Sequence, residues 1–371
     1  MLKKFTVKNY KNFKDEISLE FSKIAGYQFN KDCLSMGLIG KMLIYGRNAT
    51  GKTNFGRALL DIKILLYGMF RNDENSVLIN ADSQKDTAKF IYEFQFGSDE
   101  VIYKYSRFEN RNLCDEELYI NGEVVFKCDF KNSKFDFQGL SIISAETVNT
   151  NRYLNKDEMD NEYVLPFLTW LINNTTFSDD SVLIQLFEYV RKMGMITVGN
   201  VLLYSNRDFL EDLKDPVYLH NFEDFLNLMG IECKLVLQEL PDGQVELYFS
   251  HKKLVPFYRT ASSGMLALTS LYQKIVSNPS LIYIDDFAAF YHYEMAEKLI
   301  SFFKNKYPEC QFIMTSHNTN LMINKIMRPD CLFILSSKGT LTALCDATER
   351  ELREGHNLEK MYISGEFEKY E

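Results

Sequence analysis

No apolar run in these 371 residues approaches the roughly 18 needed to cross a bilayer. Met1-Leu2-Lys3-Lys4 leads into alternating polar and apolar residues and not into a signal-peptide core, so a cytoplasmic protein without a membrane partner is expected. Seven cysteines, at 33, 114, 128, 233, 310, 331 and 345, form no C-x-x-C pair and no Cys/His cluster with metal-ligand spacing. Neither a disulfide framework nor a structural zinc site is expected, and the thiols read as reduced. Basic charge is also short. The net charge of −9 counts against a nucleic-acid coat, because neutralising phosphates takes clustered Lys and Arg. Internal repeats, low-complexity tracts and heptad runs long enough for a coiled coil are missing too. Hydrophobic residues at 46% and charged residues at 25% are ordinary for a globular chain able to bury a large core.

Against this background one stretch stands out. Gly46-Arg47-Asn48-Ala49-Thr50-Gly51-Lys52-Thr53 fits G-x-x-x-x-G-K-[ST] at every fixed position. The apolar run Met42–Tyr45 precedes it, and Phe55, Leu59, Ile62 and Leu66 follow at helical spacing. The order is strand, phosphate loop, helix. Glycines let the backbone wrap a polyphosphate, and successive N–H groups with the helix N-terminus face the anion. Gly46, Asn48, Gly51, Lys52 and Thr53 are therefore the expected nucleotide contacts, with Lys52 on the outer phosphates and Thr53 on Mg²⁺, in a loop that kinases, GTPases and other phosphate-loop folds share.

Residues 2–8 and 17–21 alternate as an opening hairpin with Phe5, Val7, Ile17, Leu19 and Phe21 on one face. Residues 89–96, 100–108 and 117–126 alternate again, with a turn signal at Asn121-Gly122. Helical patterns follow at Leu165, Leu168, Leu171 and Ile172, at Leu183, Leu186, Phe187 and Val190, and over 221–229. A hairpin over 231–239 and 244–250 turns at Pro241-Asp242-Gly243. The expected fold is α/β, with a mixed central sheet, an antiparallel β-subdomain and a helical insertion.

Three elements near the C-terminal end complete a constellation. Ser262-Ser263-Gly264 precedes a helix with Met265, Leu268, Tyr272 and Ile275 on its apolar face. The buried-strand run Leu281–Ile284 ends in Asp285-Asp286, and a second run, Gln311–Met314, ends in Thr315-Ser316-His317. Alone, a Ser-Ser-Gly is more often a helix cap than a binding loop, and His317 more often a surface or capping histidine. Together, two apolar strands ending in polar residues put those residues at the carboxyl edge of a parallel sheet, where α/β ligands bind. Asp285 can then hold Mg²⁺, Asp286 can orient an attacking water, and His317 can meet the γ-phosphate.

In that order of elements the chain resembles the ABC-type ATPases of the structural-maintenance-of-chromosomes (SMC), RecF and OLD group. Phe5–Phe13 is similar to that group's opening "strand, then N-F-x-x-F", and Gly51-Lys52-Thr53-Asn54 to its G-K-[ST]-N, which adds Asn54 to the nucleotide contacts. The likeness covers roughly 1–66 and 258–340. The final segment, Leu352–Tyr362, looks like the tail of stand-alone bacterial ATPases from antiphage and abortive-infection operons. The resemblance implies a phosphate-loop NTPase of ABC type divided as follows: 1–150, the first half of the head with the β-subdomain; 151–257, the helical insertion with its hairpin; 258–345, the second half; 346–371, a tail. It also implies that Ser262, Ser263 and Gly264 close over ATP bound to a second copy, so the working form is a homodimer or larger. Lys52, Asp286 and His317 would carry hydrolysis. Asp286 stands where the group usually has Glu, which points to slow turnover, and Met265 replaces a polar residue. Gln138 is the nearest candidate for a Mg²⁺-sensing glutamine and reads as a loop residue. About 35 residues follow the last recognisable strand, too few for a nuclease domain, so a separately encoded effector is the expected partner. DNA repair of the RecF type, with DNA as partner, and a non-catalytic nucleotide-bound scaffold are the alternatives.

Overall fold

The computed structural model describes residues 1–68, 78–154, 164–197, 207–241 and 243–371. Asp242 of the expected hairpin turn lies outside them. Two large sheets carry the architecture. The first is antiparallel and reads β10-β9-β8-β7-β6-β1-β2 across its seven strands. It begins with the hairpin of β1 (Leu2–Lys8) and β2 (Ile17–Glu20), then continues through β6 (Thr87–Phe96), β7 (Asp99–Phe108), β8 (Leu113–Ile120), β9 (Glu123–Asp129) and β10 (Lys134–Asp136). The expected strand over 117–126 is two strands, folded at Asn121-Gly122. Both of those residues have positive φ, 52° and 82°, the backbone that a tight hairpin turn requires. Phe5, Val7, Ile17, Leu19 and Phe21 are all buried, as the alternation demands.

The second sheet is mixed and reads β11-β15-β16-β5-β17-β18. β5 (Lys41–Tyr45) lies at its centre and pairs in parallel with β16 (Gln311–Ser316) and β17 (Leu332–Leu335). β15 (Leu281–Ile284) lies parallel to β16 on the other side, and β18 (Leu341–Ala343) adds an antiparallel edge. β5 and β15 are buried along their whole length, as parallel strands covered on both faces are. The opposite edge is β11 (Met193–Ile196), parallel to β15. The sequence pattern predicts only helices and a hairpin in this stretch, because Met-Gly-Met-Ile is too short and too plain to show a period. Two short strands, β3 (Leu34–Ser35) and β4 (Leu38–Ile39), precede β5, while β12 (Leu235–Glu239), β13 (Val245–Ser250) and β14 (Leu254–Pro256) form a small separate sheet.

The helix after the phosphate loop is wedged between the two large sheets. It is broken into α1 (Lys52–Leu59) and α2 (Asp61–Tyr67) at Leu60, a break that its continuous apolar pattern does not announce. Asp61 explains it. Its buried carboxylate meets Arg107 Nη1 of β7 at 2.7 and 2.9 Å and accepts from Tyr105 Oη at 2.9 Å, fixing the start of α2 on the antiparallel sheet. Tyr92 Oη of β6 donates to the Ala58 carbonyl at 2.8 Å, and Phe5 packs edge-on against Phe55. On its other side α1 presses so closely on β15 that a Cβ at Gly56 would lie 2.4 Å from the Tyr283 ring.

The remaining expected helices form as α3 (Phe167–Asn174), α4 (Val182–Arg191) and α5 (Pro216–Leu228). α5 starts earlier than its apolar spacing suggests because Asp215 caps it and Pro216 opens it. Glu116 of β8 joins the insertion to the antiparallel sheet, accepting from the N–H groups of Phe167 and Leu168 at 2.7 and 3.0 Å and from Tyr103 Oη at 2.9 Å. No helix among the described residues is long and apolar enough to cross a membrane.

Candidate active site

The phosphate loop is shaped by positions that exclude side chains. A Cβ at Gly46 would lie 2.7 Å from Thr50 Oγ1 and 2.8 Å from the Leu335 carbonyl. Gly51 has φ +98° and Ala49 +66°, so the backbone turns through left-handed conformations before α1 begins. Thr50 Oγ1 donates to the Arg47 carbonyl at 3.0 Å and holds the loop shut. Lys52 Nζ donates to the carbonyls of Gly46 at 2.6 Å and Arg47 at 2.9 Å, which uses two of its three donors and leaves one for a ligand. Burial pulls Lys52 below its ordinary pKa while Asp286 and Asp285 pull it back up.

Parallel pairing of β15 with β16 brings the ends of both strands beside this loop. Thr53 Oγ1 at the start of α1 donates to Asp285 Oδ2 at 2.6 Å, and Thr315 Oγ1 donates to Asp285 Oδ1 at 3.0 Å. The same threonine oxygen accepts from the Asp286 N–H at 2.8 Å. That bond fixes Asp286 in the left-handed region at φ 52°, unusual for a residue with a side chain. Asp286 Oδ1 then lies 3.0 Å from His317 Nδ1. A carboxylate can only accept, so Nδ1 carries a proton and Nε2 is the ring's other polar atom. Tyr283 Oη donates to the Lys52 carbonyl at 2.5 Å and ties β15 to the helix start.

Lys52, Thr53, Asp285, Asp286 and His317 line one open cavity of about 520 Å³ together with Asn12, Asn48, Ala49, Gly51, Asn54 and Arg57. Of the expected residues, the structure brings Asn48, Gly51, Lys52, Thr53, Asn54, Asp285, Asp286 and His317 into it; Gly46 does not line it and contributes through its carbonyl, which accepts from Lys52. Ser262, Ser263 and Gly264 do not line it. Ser262 caps α6 (Ser263–Ile275), accepting from the Met265 N–H at 3.3 Å, and Ser262 and Ser263 are exposed. Gln138 does not reach it either: it begins a turn after β10, at the far edge of the antiparallel sheet, and its N–H meets Asp136. Two lining residues escaped the sequence reading. Asn12 belongs to the opening motif and hydrogen-bonds Asn54. Arg57 sits one helical turn beyond Thr53, a spacing that could have flagged it.

Mg²⁺ fits this donor set. Thr53 Oγ1 and Asp285 present adjacent hard oxygens, and no group of three or more His, Cys, Asp or Glu suited to a metal exists among the described residues. One or two protein oxygens, completed by phosphate and water, is how Mg²⁺ is usually held.

A family model described as "AAA domain, putative AbiEii toxin, Type IV TA system" matches residues 41–324, which span the loop, Ser262–Gly264, Asp285-Asp286 and His317. The chain belongs to that family. Its fold is that of a phosphate-loop NTPase. Among solved structures, an SMC head bound to the C-terminal winged-helix domain of ScpA aligns with TM-score 0.53 at 15% identity, covering 92% of this chain and 97% of that one. SMC heads from Thermotoga maritima (TM-score 0.45, 14% identity, 92% and 98% covered) and Pyrococcus furiosus (0.47, 13%, 92% and 96%) are also similar. No curated protein matches the sequence. The family supports a nucleotide-binding ATPase, and the first of these SMC heads shares its fold.

Proposed function

We propose that this chain is a cytoplasmic ATPase whose ATP-bound pair switches a separately encoded effector, a toxin or nuclease, in antiphage defence. One observation carries the reading. Lys52, Thr53, Asp285, Asp286 and His317 converge on a single cavity, while the exposed Ser262 at the head of α6 stays outside it. A second copy is the natural source of the missing side. The toxin and toxin–antitoxin wording of the family description supports the biological setting.

In this mechanism the loop N–H groups and the free donor of Lys52 hold the phosphates. Mg²⁺, at Thr53 and Asp285, would supply charge neutralisation on the outer phosphates. Asp286 accepts from the attacking water, and its hydrogen bond keeps His317 turned for the γ-phosphate. The carboxylate is one methylene shorter than the usual Glu, and a misplacement near 1 Å costs on the order of 100-fold, so turnover is slow. Loss of the γ-phosphate removes the ligand that favours the closed pair.

Steady-state phosphate release and ATP-dependent mass test the reading together. Lys52→Ala abolishes tight ATP binding. Asp286→Ala keeps binding but holds the closed pair after a chase, and Ser262→Arg leaves binding intact while blocking pairing. A release rate that neither Lys52→Ala nor Asp286→Ala changes would refute catalysis by this site, and a normal mass shift in Ser262→Arg would refute the pairing.

A further inference from the structure

Behind the nucleotide cavity, a separate cleft of about 400 Å³ runs along the β11 edge, lined by Lys63, Arg191, Lys192 and Lys274 and, among the described residues, by no acidic one. In a chain of net charge −9 this concentration of cations runs against the average. It is assembled from α2, the end of α4 and α6, so no basic run in the sequence announces it. The cations feel one another: burial, then Lys274 and Arg191, pulls Lys63 below its ordinary pKa. Glu188 on α4 pairs with Arg191 at 2.6 Å and lies 4.0 Å from Lys192.

The strand itself offers a second attraction. Ile196 turns its carbonyl to β15, where it accepts from the Asp285 N–H at 2.8 Å. Alternation along a parallel strand therefore turns the backbone groups of Met193 and Met195 outward. The Met193 carbonyl is met by Lys63 Nζ at 2.6 Å. At Met195, no strand among the described residues pairs with the edge.

We infer that this cleft docks an acidic, extended segment of a partner protein, added as a strand to β11 with its carboxylates among Lys63, Lys192 and Lys274. Main-chain pairing supplies affinity and the cations select the partner's charge. A cleft of this size takes a short extended chain and not the regular phosphate run of a duplex. The site stands apart from the ATPase reading, although α1–α2, α6 and β15 all run to it from the nucleotide side.

Fluorescence anisotropy with a fluorescein-labelled peptide of alternating Glu and Val tests it on the full chain, without nucleotide and in the Lys52→Ala protein. Saturable, salt-weakened binding is expected. Lys274→Glu, at an exposed position, should weaken it about tenfold, and Lys274→Arg should retain it. The same peptide N-methylated on alternate backbone nitrogens should lose most of its affinity. No saturable binding, equal binding to Lys274→Glu, or equal binding of the methylated peptide would overturn the proposal. So would displacement of the peptide by a mixed-sequence DNA duplex, or a Lys274-dependent self-association showing that a second copy occupies the edge.

Discussion

Replacing Gly56 by Ala adds one methyl at the point where α1 touches β15, and the structure gives the size of the misfit. The new Cβ would meet Tyr283 Cδ1 and Cε1 at 2.4 Å, about 1 Å inside the 3.4 Å at which ordinary contact begins. The obstruction is a fully buried ring whose hydroxyl is anchored to the Lys52 carbonyl, so it cannot swing aside. The helix and strand must part instead. Overpacking of this kind costs roughly 1–3 kcal/mol of stability. The functional cost is larger, because α1 carries Lys52 and Thr53 while β15 delivers Asp285 and Asp286, and the Thr53–Asp285 hydrogen bond at 2.6 Å spans the same seam. A separation near 1 Å should lower kcat on the order of 100-fold. Steady-state phosphate release measures the rate, and urea unfolding measures the stability separately. Gly56→Ala combined with Tyr283→Leu, which clears the ring, should recover part of both losses. A single variant that folds with kcat within about threefold of the parent would refute the claim that this seam sets the site geometry.

Three further outcomes follow from side-chain contacts. Arg107→Ala strands the Asp61 carboxylate in the core and should cost about 3–5 kcal/mol in urea unfolding, whereas Asp61→Leu with Arg107→Met should cost less than the single change. Burial pushes Glu116 from its ordinary 4.5 up to about 7, against the three donors it accepts from. A group raised on folding gives stability that is complete below about 4.5 and lost as pH rises through about 7, so the thermal midpoint should fall over that window, and Glu116→Gln should remove the step. Asp285→Ala removes the acceptor of Thr53 and Thr315, so calorimetry should find that Mg²⁺ no longer tightens ATP binding.

The parts of the site written into contiguous residues were legible in the sequence. The phosphate loop is local chemistry, and the two apolar runs ending at Asp285-Asp286 and His317 announce strand ends by composition alone. Ser262 was legible as a helix cap, and the structure shows it in that place. What stayed hidden depends on distance in the chain. Arg57 matters because α1 lies against the cavity, and the helix break at Leu60 depends on Arg107 from another sheet. Gln138 is removed from the site by a strand order that no local pattern encodes. The cationic cleft needs residues 63, 191, 192 and 274 in one place, and β11, its floor, carries no period of its own.

The central position of β5 also bears on how the chain is made. Its partners β16 and β17 are encoded almost 300 residues after it. At translation rates of about 5–20 residues per second, the strand waits roughly 15–60 s for them. Throughout that time Met42, Leu43 and Ile44 have neither neighbour, and the antiparallel sheet can assemble without the one that holds the phosphate loop. Folding is therefore dominated by long-range pairing and is slow. The nascent chain is a natural client for chaperones, and a ribosome stalled before β17 would release a protein with a formed β-subdomain and an unclosed core.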